Sequence, residues 1–245
     1  VDCVLTDPPY CSGARTSALV RGRGGMSRKE VWKSSPLAND RMTVTGFVWT
    51  MRAVAMLADR LLPEGASFLS FIDWRQYPTL YAALESSNYR IQTMVVWDKM
   101  DMGMGNGFRN QHELIIHAAK GTPRVYDRGV PNVIRCKRIS SSDNHPTEKP
   151  INLLSTLAEV VTESGQTILD PFMGSGSVGI AAASIGRRFI GIEIDPGYFE
   201  IACQRIRDAY AQGDLFRQPP SPRSSRPQRK AEQLALGGDK LGPDE

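Results

Sequence analysis

The run Thr167-Ile168-Leu169-Asp170 leads straight into Pro171-Phe172-Met173-Gly174-Ser175-Gly176-Ser177-Val178-Gly179, and this junction restricts the fold more than any other part of the chain. An apolar strand closed by a carboxylate, then a glycine-rich turn, then a helix from about Ser177 is a strand-to-helix connection of an open α/β sheet. Glycine is needed there for torsions that other residues resist and for close approach of backbone to a ligand. The helix start brings free N–H groups and a positive dipole end. The run reads G-x-G-x-x-G, but its Asp170-Pro171-Phe172 lead is not that of a dinucleotide-binding turn.

The remaining pattern agrees with an alternating α/β chain. Residues 1–6 are apolar enough for a buried strand and end at Asp7-Pro8-Pro9-Tyr10. Residues 44–62 place Phe47, Val48, Met51, Val54, Ala55, Leu57 and Leu61 near helical spacing, and Pro63-Glu64-Gly65 ends the helix. Strands are expected over 67–72, 91–97, 113–118, 167–170 and 188–193, and helices over 77–86, 151–162 and 198–211. This implies a mostly parallel twisted sheet with helices on both faces. A buried parallel strand needs neighbours on both sides, so a strand and a helix are expected ahead of Val1. The rhythm breaks over 98–143, where a glycine loop from Asp101 to Phe108 precedes a segment rich in Arg, Lys and Ser.

Composition narrows the class. With 245 residues, 41% of them hydrophobic, the chain can bury one substantial core, with room for an inserted subdomain. No apolar run approaches the ~20 residues of a membrane span, and no basic-then-apolar leader is visible. The four cysteines lack metal-ligand or disulfide spacing, so no metal is expected and a reduced, cytoplasmic protein is. The net charge of +4 is unevenly placed. Residues 11–33 carry Arg15, Arg21, Arg23, Arg28, Lys29 and Lys33 against Glu30 alone, and 217–230 carry five basic residues among prolines with no acid. Such clusters suit phosphate contacts.

Taken together, Asp7-Pro8-Pro9-Tyr10 early, His145-Pro146-Thr147-Glu148-Lys149-Pro150 later, and the Asp170–Gly176 turn last resemble the S-adenosylmethionine-dependent DNA amino-methyltransferases. Catalytic motif before cofactor motif is the permuted order of that family's beta class. The resemblance covers roughly residues 1–212 and is weak over 98–143. It implies a Rossmann-like methyltransferase fold, with 1–97 as the catalytic half, 98–143 as an inserted target-recognition region and 144–212 as the cofactor-binding half. Residues 213–245 read as a disordered tail. One departure concerns the cofactor pocket: the family places an acidic residue on a strand before the Asp7 strand, and this sequence does not show it.

For the cofactor, S-adenosylmethionine, the resemblance implies contacts from Asp170, Phe172, Gly174, Ser175 and Gly176. Thr147 and Lys149 would face the methionine end, where a hydroxyl and a cation suit a free carboxylate. A carboxylate after the next strand can accept from both ribose hydroxyls. Glu193 is placed for that, with Asp195 the lesser candidate. At the catalytic motif, an exocyclic base amine is a poor nucleophile because its lone pair is delocalised into the ring. Hydrogen bonds from its N–H groups to the Asp7 carboxylate and the Pro8 carbonyl would localise that pair. Pro8 and Pro9 fix the backbone that aims the carbonyl, and Tyr10 can stack on a base flipped out of double-stranded DNA. No cysteine follows a proline, which excludes cytosine carbon methylation, and the motif order argues against a protein-glutamine methyltransferase. Asp as first residue favours adenine over cytosine within the family.

Arg109, Asn110 and Gln111 follow the glycine loop and can present hydrogen-bonding groups to base edges, with His112 beside them. Arg135 and Lys137, with Arg124, Arg128 and Arg138, suit phosphates, as do Arg21, Arg23 and Arg28. His112 and His117 are equally readable as packing residues. A cytosine-amine methyltransferase, a catalytically silent DNA-binding homologue and a nicotinamide oxidoreductase are the competing readings. A nucleoid-associated bacterial enzyme acting alone, one paired with a restriction enzyme, and a homodimer all stay open at this point.

Overall fold

The computed structural model of the protein describes residues 1–11, 42–103, 106–139 and 148–216. Nearly all belong to one unit, Val1–Leu215; a second, Phe216–Glu245, lies outside the described residues apart from its first. In chain order the elements are β1 (Cys3–Thr6), α1 (Val44–Leu61), β2 (Ser67–Ile72), α2 (Tyr77–Glu85), β3 (Arg90–Asp98), β4 (His112–Ala119), β5 (Val133–Arg135), α3 (Ile151–Val161), β6 (Thr167–Asp170), α4 (Ser177–Ser184), β7 (Arg188–Gly191) and α5 (Pro196–Phe216).

The strands form one seven-stranded sheet in the order β5-β3-β4-β2-β1-β6-β7. All pairings are parallel except the two made by β4, which runs against both β2 and β3. Parallel neighbours need a crossover element; among the described residues none lies between β3 and β4, whose connection doubles back as a hairpin. The two neighbours that β1 requires are supplied by β2 and β6, both later in the chain.

Burial follows the strand pleat. Phe68 and Ile72 of β2, Val4 of β1 and Leu114, Ile116 and Ala118 of β4 pack with Phe47, Met51 and Ala55 of α1 and Leu80 and Leu84 of α2. The alternate residues Leu69, Phe71, Cys3, Leu5 and Ile115 pack with Leu153, Leu154 and Leu157 of α3 and Val178 and Ala181 of α4. Both faces of the central strands are therefore covered, which is why they read as mostly apolar runs, broken only by small or hydrogen-bonded polar residues such as Ser67, Ser70 and His117. Helix α1 starts on Thr43, whose hydroxyl accepts from Gly46 N at 3.1 Å.

Three elements differ from the sequence reading. β5 falls in a segment that shows no period, because three residues are too few to display one. β7 stops at Gly191 instead of 193, and α5 begins two residues earlier, at Pro196. Asp195 explains the early start: its Oδ1 accepts from Tyr198 N at 3.0 Å, a helix cap, with Pro196 at the first position. α5 also runs to Phe216, so 213–216 are helical rather than tail.

Candidate active site

The carboxyl ends of β1 and β6 are adjacent, and this brings the two main motifs together. Thr6, the last residue of β1, donates from its hydroxyl to Asp170 Oδ1 at 2.6 Å, and Phe172 N donates to the same oxygen at 3.0 Å. Asp170 is 1% exposed. Burial pushes its carboxyl up to about 7, against the opposing pull of the Thr6 and Phe172 donors, and Asp7 and Glu193 push the same way as burial. Asp170 thus braces the two turns from within; its place in the structure is beneath the glycine turn.

In that turn Gly174 and Gly176 have φ of 51° and 86°. Gly176 occupies the N-cap position of α4 and offers no capping side chain. A Cβ there would sit 3.0 Å from Ala202 Cβ of α5, so glycine serves both the left-handed torsion and close helix approach. Glu193 lies directly across: its Oε2 accepts from Gly174 N and its Oε1 from Asp195 N, both at 2.9 Å. Of the two acids singled out after β7, Glu193 faces the glycine turn and Asp195 caps α5. Ser175 is buried and Phe172 half-buried against the core. Glu148 and Arg205 form an ion pair, and Arg205 also donates to Ser175 O at 2.7 Å. This pair ties the segment before α3 to the turn, and nothing in the local sequence marks it. A glycine-lined turn at an uncapped helix start, with a carboxylate at the end of the next strand, fits a nucleoside-bearing cofactor such as S-adenosylmethionine.

At the Asp-Pro-Pro-Tyr turn, each oxygen of Asp7 has its own partner. The Tyr10 hydroxyl donates to Oδ1 and the Lys149 ammonium to Oδ2, both at 2.5 Å. Glu113, the second residue of β4, joins the same cluster. Its Oε2 lies 3.3 Å from the Tyr10 hydroxyl and 3.3 Å from Lys149 Nζ, while Lys99 Nζ holds its Oε1 at 2.5 Å. Lys149 also sits over the Phe71 and Tyr10 rings. Burial works against the Lys149 charge, but Asp7 and Glu113 override it and hold the ammonium above the usual lysine range. Burial raises Glu113, yet Lys149 and Lys99 outweigh it and bring the carboxyl to about 2. The Tyr10 phenol is pushed well above its usual range by burial and by both carboxylates. Two carboxylates and two ammoniums make the cluster formally neutral, which is how it tolerates its depth.

Two residues that the sequence points toward ligands have internal partners in the structure. Lys149 spends its charge on Asp7 and Glu113 rather than standing free for a ligand carboxylate. Gln111 turns its amide to Asp98 Oδ1 at 2.8 Å instead of presenting it outward. Glu113 was read only as the start of a strand. The available signal was an ionisable residue at the head of the otherwise apolar run Leu114-Ile115-Ile116, with a lysine just after β3.

Around the glycine loop, Arg109 is exposed, its Nε donating to Gly103 O at 2.6 Å, and Asn110 is exposed beside it. Arg135 lies 3.5 Å from Asp98 yet is 77% exposed, and Lys137 is exposed. His117 packs inside, against Ser67 at 3.0 Å, and burial lowers its imidazole to about 4. Arg21, Arg23, Arg28, His145, Pro146 and Thr147, and the basic run 217–230, lie outside the described residues. Among the described residues no group of three metal-ligating side chains comes together, and no helix is long and apolar enough to cross a membrane.

Comparison with known proteins gives a consistent result. The family model described as DNA methylase, covering N6 and N4 enzymes, matches residues 1–204. The putative methylase YubD of Escherichia coli K12 is 32% identical over 206 residues, covering 84% of this chain and 82% of its own. The crystal structure of the M1.HpyAVI–SAM complex superposes with a TM-score of 0.60 at 22% identity, covering 84% of this chain and 88% of that one. The cytosine-N4-specific PvuII DNA methyltransferase superposes with a TM-score of 0.63 at 14% identity, covering 87% and 85%.

Proposed function

Since the chain belongs to the DNA methylase family of N6 and N4 enzymes, we propose that it methylates the exocyclic amine of adenine in duplex DNA, at Asp7. The observation that carries this reading is the convergence of Asp7 and the glycine turn, which the Thr6–Asp170 hydrogen bond locks together at 2.6 Å. S-adenosylmethionine supplies a methyl group already activated on a sulfonium. Gly174, Ser175, Gly176 and Glu193 would hold it, with Glu193 taking the ribose hydroxyls and Phe172 alongside.

The protein's own part is to bring a weak nucleophile into line. Asp7 and the Pro8 carbonyl accept the two N–H groups of the target amine, drawing its lone pair out of the ring and toward the methyl. Asp7 then stabilises the positive charge that builds on nitrogen and takes the departing proton. This is positioning and electrostatic preorganisation in a partly buried site, where each interaction counts for more than in water. The ring of Tyr10 forms a wall for the flipped base. The exposed Arg109 and Asn110 on the hairpin, Arg135 at the end of β5 and Lys137 just after it are assigned to DNA, Arg109 and Asn110 to bases and the other two to phosphates.

Transfer of labelled methyl from the cofactor to unmethylated plasmid DNA, followed by nucleoside analysis, tests the reading. N6-methyl-2′-deoxyadenosine is expected. The likeness to the PvuII enzyme supports a second reading, the cytosine amine, and N4-methyl-2′-deoxycytidine in the digest would establish that instead. Asp7→Asn is expected to lower turnover by at least about 10²-fold while leaving cofactor affinity intact. Turnover near that of the wild type would remove Asp7 from the chemistry.

A further inference from the structure

We infer that Glu113 is a positioning residue for methyl transfer: it is the alternative acceptor that receives the Tyr10 hydroxyl and the Lys149 ammonium when the target amine comes to Asp7. The inference rests on the reading of Asp7 as the acceptor of that amine. Its starting point is that neither oxygen of Asp7 is idle. One holds the Tyr10 hydroxyl and the other holds Lys149, each at 2.5 Å. An incoming amine must share an Asp7 oxygen with one of these donors or displace it.

Both donors have the same second choice. Glu113 Oε2 lies 3.3 Å from each, close enough to receive them after a shift of under an ångström. Glu113 does not move to meet them, because Lys99 fixes its other oxygen at 2.5 Å. No charge enters or leaves the cluster during the exchange. Asp7, Glu113, Lys149 and Lys99 sum to zero before and after, so the handover avoids the large penalty of creating a buried charge. What changes is how the negative charge is neutralised. With Lys149 drawn toward Glu113, Asp7 becomes the less compensated carboxylate, and so the stronger acceptor, at the moment positive charge develops on the base nitrogen. Without Glu113 the ammonium and the phenol have, among the described residues, only the Asp7 carboxylate, and they compete with the substrate for it.

The topology makes this possible. β4 runs against its neighbours, so its first residues, not its last, lie at the carboxyl edge beside Asp7. A parallel strand in that place would put Glu113 at the far end of the sheet.

The test compares Glu113→Gln and Glu113→Asp with the wild type, using unmethylated plasmid DNA and labelled cofactor. Glu113→Gln keeps shape but loses charge; Glu113→Asp keeps the charge balance with both lysines but withdraws the oxygen by about one bond length. Each is expected to lower kcat by about tenfold or more, with cofactor affinity by calorimetry and KM for DNA within about threefold of wild type. A second readout separates positioning from mere structural support. With Cζ-labelled tyrosine, the Tyr10 resonance, assigned through Tyr10→Phe, is expected to shift on adding plasmid fragments and demethylated cofactor to the wild type. In Glu113→Asp it is expected to stay put. Should Glu113→Gln fail to fold, Glu113→Asp with unchanged melting carries the test alone. Unchanged kcat in Glu113→Asp, or a Tyr10 shift equal to that of wild type, overturns the proposal. If Asp7→Asn abolishes turnover while Glu113→Asp is normal, only this inference fails; if Asp7→Asn is itself active, the reading of Asp7 fails.

Discussion

Asp170→Asn isolates the buried carboxyl that braces the two turns. In the folded protein this carboxyl titrates at about 7 against an ordinary value of 3.8. A group whose folded pKa is raised prefers its proton in the native state. It therefore does not weaken the fold below the unfolded pKa, and destabilises increasingly as pH rises from about 4 to about 7, with no further change above that. Three units at 1.36 kcal/mol each give about 4 kcal/mol in full, of which about 2–3 kcal/mol develops between pH 5 and pH 8. The asparagine amide oxygen keeps an acceptor for the Thr6 hydroxyl and Phe172 N, but carries no charge. Its extra N–H groups can impose about 1–3 kcal/mol if unpaired, a penalty that is the same at every pH. Urea unfolding of both proteins at pH 5, 6, 7 and 8 reads the difference directly, since every other titrating group cancels. The variant is expected to gain on the wild type by about 2–3 kcal/mol across that range. A difference that stays flat, or shrinks as pH rises, would refute the assignment of a strained, desolvated carboxyl.

Glu193→Ala should weaken binding of S-adenosylmethionine by about 1–3 kcal/mol in calorimetry, with DNA affinity in the absence of cofactor unchanged; full cofactor affinity would place the ribose contact elsewhere. Gly176→Ala forces a side chain into a left-handed torsion against Ala202 and should destabilise the fold by about 1–3 kcal/mol in urea; a neutral effect would mean that α5 yields readily. Arg109→Ala is expected to cost about 1–3 kcal/mol more on the methylated sequence than on random DNA, and equal losses in a filter-binding comparison would make it a phosphate contact. Lowering the pH from about 4.5 toward 2 should remove the stability contributed by Glu113, whose folded carboxyl is depressed to about 2. Acid titration of Glu113→Gln should lack that component.

What the sequence disclosed and what it hid divide along physical lines. The central strands were legible because both faces of β1, β2 and β6 are largely buried and so leave short, mostly apolar runs. The glycine turn was legible because the left-handed torsions at 174 and 176 favour glycine, and at 176 the approach of Ala202 leaves little room for a side chain. β5 was not, because three residues held by pairing to β3 carry no period of their own. The partners of Lys149 were hidden for another reason. Asp7 is 142 residues away in the chain, and the motif containing Lys149 shows a cation without showing what neutralises it. Glu113 was hidden for the same reason, since an acid at a strand end looks like surface until the strand order places it beside Asp7 and two lysines.

The hairpin between β3 and β4 is fastened at its root and loose in its demands at its tip. Lys99 N bonds to Gln111 O at 2.9 Å, Gly103 N to Asn110 O at 2.8 Å, and Asp98 Oδ1 gathers Met100 N and the Gln111 amide. Phe108 stands beyond these ties, exposed, and Arg109 beside it is exposed while its Nε donates back to Gly103 O. The root carries Lys99 and Glu113, which pair with each other and, through Lys149, border Asp7; among the described residues of the tip none bonds to Asp7. On the proposed assignment of Arg109 and Asn110 to bases, reader and reactor are separable parts. Substitutions or transplanted segments between Gly103 and Asn110 are then expected to change which sequence is modified while the catalytic cluster keeps its geometry, so that the enzyme acquires a new address without relearning its chemistry.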